Sequence, residues 1–238
     1  MAVVVAHRAE PRHRWGLGAF LLVEAVYLAT SLLLGFALGG PGEVHVSTVL
    51  LVVGVPSACA AVVAIVATRL RGNGPRLDLG LHWDWRGAAT GMLFGVVGLL
   101  VTIPASLLWV QIVGADANSA AGEVFGGIRS GWAWAIAVFV LIVVVAPVCE
   151  EIVYRGLLWG AVRQRWGRGA AFGVSTVVFA VAHLEWTRIP LLLVIAVPIG
   201  LARLYTTNLT ASIVAHQVTN LLPGLVLMFT VAGALPPV

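Results

Sequence analysis

Stretches of about 20 apolar residues follow one another from Trp15 almost to the end of this 238-residue chain, and that succession restricts what it can become. Each is long enough to cross a hydrocarbon core ~30 Å thick. Only 10% of the residues are charged, and 60% are hydrophobic. Soluble domains carry roughly 25% charged residues. The expected fold is therefore an all-α, polytopic transmembrane helical bundle, a single membrane domain over residues 1–238.

The runs lie at about 15–38, 47–68, 87–110, 132–162, 170–184, 189–204 and 209–232. That makes about seven spans, or eight if Pro223-Gly224 breaks the last. The net charge is +4, yet it does not point to nucleic acid, because the basic residues are all arginines and most of them lie between spans. Arg8, Arg12 and Arg14 precede the first span, Arg69, Arg71, Arg76 and Arg86 fill the second loop, and Arg163, Arg165 and Arg168 follow the fourth span. The alternate loops carry only Arg129 and Arg188. Positive residues favour cytoplasmic loops, so the N-terminus and the arginine-rich loops are expected in the cytoplasm. Tryptophans near the span ends fit interfacial belts. Cys59 and Cys149 read as small buried hydrophobes rather than a disulfide or metal pair. Glycine pairs at Gly35/Gly39, Gly91/Gly95 and Gly156/Gly160 would permit close helix approach.

The charges inside the apolar runs carry the chemistry. In "APVCEEIVYRGLLWGAV", residues 146–162, helical rise sets Glu150 ~24 Å from Trp134 and ~20 Å from Arg163, near the bilayer midplane. Buried charges in hydrocarbon are costly and by default functional. Glu151 and Arg155, at i and i+4, can neutralise one another, leaving Glu150 without a partner on its own helix. A return leg from Arg168 brings His183 to the same depth, four residues after Phe179. The last span places His216 and Asn220 at i and i+4. HExxH and GxSxG signatures are absent. A glutamate facing a histidine can deprotonate a water, while a second histidine and an amide can hold an oxyanion. Alternatively, Glu150, His183 and His216 could ligate a divalent metal such as zinc.

Other polar residues read as secondary. Glu24 is expected to hydrogen-bond within the bundle, and Gln111, Asp116, Asn118 and Glu123 to lie in a solvated loop. His7, His13, His45 and His82 fall in loops or the N-terminal tail, Glu185 and Arg188 cap an outer hairpin, and Tyr154 and Trp159 pack. Pro147, one turn before Glu150, is positioned to kink its helix.

The ordered set EExxxR (Glu150 to Arg155), FxxxH (Phe179 to His183) and HxxxN (His216 to Asn220) resembles the CPBP family, the CAAX proteases and bacteriocin-processing enzymes also called the Abi family. The resemblance covers a core of about 130–225. It implies an intramembrane endopeptidase of a prokaryotic plasma membrane, with a site open to the cytoplasm and a membrane-associated protein or CAAX-like peptide as substrate. By that likeness Glu150 and His183 would activate water, His216 and Asn220 would form the oxyanion hole, and Glu151, Arg155 and Phe179 would support them. No cofactor is then required. A non-catalytic scaffold or bacteriocin-immunity role and a proton-coupled transporter are the alternatives. A transporter would usually show inverted repeats, and no repeat is evident in the sequence.

Overall fold

The computed structural model describes residues 14–39, 45–114 and 119–236. His7, His13, Arg8, Arg12, Asp116 and Asn118 lie outside them. Among the described residues the chain is helical and contains no strand. In order come α1 (Leu17–Leu38), α2 (Val46–Arg71), the single turn α3 (Pro75–Asp78), α4 (Trp85–Val113) and the short α5 (Ala120–Phe125). A long element follows, made of α6 (Trp132–Val140), a π-turn (Leu141–Val145), α7 (Ala146–Glu151), a second π-turn (Ile152–Leu158) and α8 (Trp159–Ala182). A 3₁₀ turn (Trp186–Arg188), α9 (Ile189–Tyr205) and α10 (Thr210–Val231) complete the bundle.

Six of these helical elements are long and apolar enough to cross a membrane, with Trp132–Ala182 counting as one. The chain is an integral, multi-pass, all-α membrane protein. Its outward faces carry Leu22, Leu32, Phe36, Leu100 and Leu107, all more than half exposed, which in a bilayer meet acyl chains.

Two expectations change. The fourth and fifth apolar runs are arms of the one long element, which turns at Gly167. There φ is +81°, a left-handed value that glycine reaches without a Cβ penalty. Pro223 does not break the last span, since α10 runs through it from Thr210 to Val231. Neighbouring groups in a bundle absorb the hydrogen bond that a proline omits.

Glycines set how close the helices come. A Cβ on Gly91 would sit 2.3 Å from the Ala211 carbonyl oxygen, and one on Gly95 would sit 2.6 Å from Val218 Cβ. The backbones of α4 and α10 therefore meet along this row. Gly160 is equally committed, because its Cβ would fall 2.5 Å from the Trp15 ring. Gly35 has nothing nearby, so that pair is a coincidence of composition.

The segment between α2 and α4 folds across the arginine-bearing end of the bundle. Buried Asp78 accepts from the Trp15 indole at 2.8 Å and from the Asn73 backbone and amide, both at 2.9 Å. Gly80, at φ +73°, presents its carbonyl to the Leu209 N–H at 2.9 Å, and His82 does the same for the Thr210 hydroxyl at 2.6 Å. Asp84 caps α4 through the Arg86 and Gly87 N–H groups and also accepts from the Asn208 amide. These bonds fix where α10 starts, and so how far along it His216 lies.

The outer connection is more ordered than expected for a solvated loop. Residues 120–125 form α5, whose Phe125 is buried. The Ala120 N–H donates to Glu185, which is also paired with Arg188. Phe125, packed into the apolar cluster with Val46, Leu227 and Val231, supplies the burial that orders this turn.

Candidate active site

Glu150 and Glu151 lie between the two π-turns. Gly160 packs on Trp15 and Asp78 at the arginine-bearing end, and Glu150 is ten residues earlier, or about 15 Å along the helix. That is half the hydrocarbon thickness. The π-turns are not ornamental at this position. Each widens the helical turn by one residue and leaves a backbone carbonyl without its usual donor, and such bulges are common at functional sites.

In the first π-turn the Ala146 N–H bonds back to Leu141 rather than Ile142. The next candidate donor, residue 147, is proline and has no N–H. The Ile142 carbonyl is thereby free, and the Asn220 amide donates to it at 3.1 Å. In the second π-turn the Trp159 N–H bonds to Tyr154 and Gly156, passing over Arg155. The Arg155 carbonyl instead receives the Arg203 Nε at 3.0 Å. Pro147 therefore acts through the hydrogen bond it cannot make, at the seam of a bulge rather than at an open kink.

Glu151 and Arg155 are fully buried and paired at 3.2 Å. Apart from this ion pair, the Arg155 guanidinium finds no hydrogen-bond acceptor among the described residues. Its Cζ lies 4.1 Å from the centre of the Phe179 ring, whose negative face takes up the remaining charge. Phe179 also touches Tyr154, His183 and His216, at centroid distances of 5.4, 4.6 and 5.6 Å. The Phe of FxxxH is the hub on which both imidazoles and the arginine pack.

His216 donates from Nδ1 to the same Glu151 oxygen, 3.0 Å away. Binding of Nδ1 turns Nε2 toward Glu150, whose carboxylate oxygen is 3.8 Å distant. His183 ends α8, and its Nδ1 donates to the Phe179 carbonyl at 2.7 Å, leaving Nε2 unengaged. The imidazole set against Glu150 is therefore that of His216, and His183 is not in ion-pair contact with it. His183 and Glu150 are both partly exposed, and His183 lines a cavity of about 460 Å³ with Glu123 and residues 184–188.

The structure thus brings Glu150, Glu151, Arg155, Phe179 and His216 into one cluster, with His183 on its edge. It hands one amide hydrogen of Asn220 to Ile142. Both Nδ1 atoms are engaged by the protein, which leaves the two Nε2 atoms as the nitrogens that can meet a water or a substrate.

Three further polar residues join the site, of which Ser212 and Arg203 were not anticipated. Glu24, expected to bond within the bundle, lies against Tyr154 and joins α1 to the motif helix. The Ser212 hydroxyl lies against Glu151. Arg203 is buried over the Trp159 ring, 5.4 Å from its centre, and grips the Arg155 and Leu79 carbonyls. An arginine among the apolar residues of α9 was the available signal for it.

Residues 132–222 match the family described as Type II CAAX prenyl endopeptidase Rce1-like. No curated protein and no solved structure matches the chain. The matched stretch runs from the start of α6 into α10 and carries every member of the motif cluster. Over these residues the chain is similar to that family, and the match coincides with the ordered EExxxR, FxxxH and HxxxN motifs.

Proposed function

We propose that the protein hydrolyses a peptide bond of a membrane-associated, CAAX-like substrate, using Glu150 as the base that activates water. The observation that carries this reading is the relay Glu151–His216–Glu150, in which one buried carboxylate orients an imidazole toward a second, more exposed carboxylate. The buried Glu151 is neutralised by Arg155, and such pairing is what makes a charge tolerable in a low-dielectric interior.

Glu150 takes a proton from water as the oxygen attacks the scissile carbonyl carbon. His183, its ring fixed by the Phe179 carbonyl, accepts a hydrogen bond from that water through Nε2 and holds it in place. The oxyanion is met by His216 Nε2–H and by the second amide hydrogen of Asn220. Such donors are worth most where water is excluded. Collapse breaks the C–N bond, and Glu150 returns the proton to the leaving amine. The N-terminus and the arginine-rich loops are assigned to the cytoplasm, and substrate reaches the cluster from that side.

The test is cleavage of a CAAX-terminated membrane peptide by the purified full chain. Glu150→Gln and His183→Ala should each lower the rate by about 10²-fold or more while the unfolding midpoint in detergent stays near that of the wild type. Full activity of Glu150→Gln on such a substrate would remove the base from this scheme.

A further inference from the structure

A second feature lies at the arginine-bearing end, away from the motif cluster. The inner ends of α1 and α2 are clamped together by the Arg14 N–H, which donates to the Arg71 carbonyl at 2.8 Å. Beside this clamp the two helices enclose a cavity of about 460 Å³. Its floor is made of small residues, among them Gly18, Ala19 and Ala67, and its walls of apolar ones such as Leu22, Val66 and Leu70. Leu22 and Leu70 are 56% and 79% exposed, so the groove faces outward, where a bilayer supplies acyl chains. Among the described residues, a Cβ built on Gly18 meets nothing within 4 Å, so none of them fills the space.

The rim has the opposite chemistry. Arg14 and Arg71 are both exposed at its inner end. Asp78, at the same end, is buried and accepts from Trp15 and Asn73. Gly16 caps α1 without a side-chain hydrogen bond, so the first-turn N–H groups add partial positive charge at the same place. A slot lined by aliphatic side chains with two arginines at the headgroup level has the profile of a phospholipid, phosphate at the arginines and chain along the helices. Basic residues at a membrane surface attract anionic lipids by about 1 kcal/mol each.

We infer that the groove between α1 and α2 binds one anionic phospholipid of the adjacent leaflet, its phosphate held by Arg14 and Arg71 and one acyl chain lying over Gly18 and Ala67. The lipid ties the first two helices together at the end where α3 and Trp15 support the motif helix. The site does not depend on the proposed reaction.

Native mass spectrometry of the full chain in detergent, titrated with phosphatidylglycerol or with phosphatidylcholine, tests it. The wild type should retain one phosphatidylglycerol in preference to phosphatidylcholine. Arg14→Gln/Arg71→Gln should reduce that retention by roughly thirtyfold, in line with two lost charge contacts. Gly18→Leu, which keeps every charge and fills the open slot, should reduce it as well. Arg76→Gln/Arg86→Gln removes the same charge outside the groove and should leave retention unchanged. Equal loss in the Arg76/Arg86 variant would reduce the effect to net charge and overturn the site. So would undiminished retention in either groove variant, or retention of inorganic phosphate competing with the lipid at equal concentration.

Discussion

The Asn220 amide reaches the Ile142 carbonyl because residue 147 is a proline with no hydrogen to offer it. Two residues far apart in sequence are thus coupled through a missing N–H, and the coupling is measurable. Asn220→Ala should lower stability by about 1 kcal/mol, since it leaves a part-buried acceptor without its donor. In a Pro147→Ala background, where a backbone donor is restored, the same change should cost less. A double-mutant cycle on unfolding midpoints in detergent should therefore give an interaction of at least about 0.5 kcal/mol. Strict additivity would show that the π-turn and the amide are unrelated.

Glu151 and Glu150 should separate cleanly into stability and activity. Glu151→Ala leaves Arg155 buried without its counter-charge and removes the acceptor of His216. Breaking one partner of such a pair typically costs about 3–5 kcal/mol, so this variant should express poorly or unfold early. Glu150, half open and without a partner on its own helix, should tolerate Gln with little change in midpoint. The reverse ranking would show that the wrong carboxylate has been given the structural role.

Close helix contact predicts a position-specific response to added methyl groups. Gly91→Ala places its Cβ into the Ala211 carbonyl and should destabilise by about 1–3 kcal/mol, as overpacking does. Gly35→Ala meets open space and should be neutral or slightly favourable through helix propensity. Thermal unfolding of the two variants side by side checks this.

Asp84 makes one end of the bundle sensitive to acid. The Gly87 N–H, then the Asn208 amide, hold its carboxyl below the ordinary 3.8. A group with a depressed folded value stabilises above its unfolded value and loses that contribution as pH falls through the folded one. The wild-type unfolding midpoint should therefore fall below about pH 4 more steeply than that of Asp84→Asn. Parallel pH profiles would mean that the cap contributes nothing.

Chelation should leave cleavage unchanged. His183 and His216 each commit Nδ1 to a protein acceptor, and in the proposed scheme His183 Nε2 holds the water while His216 Nε2–H meets the oxyanion, so neither ring has a nitrogen left for a metal. Loss of activity with a chelator and its return with zinc would refute the water-only scheme.

What the sequence determined by itself rests on covalent spacing. A rise of 1.5 Å per residue sets how deep a residue lies, and the 3.6-residue turn sets which residues share a face. This is why the pairing of Glu151 with Arg155 and the shared face of Phe179 and His183 were legible without coordinates. The family match over residues 132–222 fits the same ordered motifs.

The tertiary structure alone decided which imidazole faces which carboxylate. That choice depends on how each helix is rotated about its axis, and rotation is set by non-local contacts. The glycine row of α4 draws α10 in, the 72–84 segment fixes where α10 begins, and Gly167 turns the return arm. The π-turns shift the register of the motif helix by a residue each, and no local pattern announces them. A neutral count of 3.6 residues per turn therefore locates the reactive groups in depth and leaves their mutual facing to the packing.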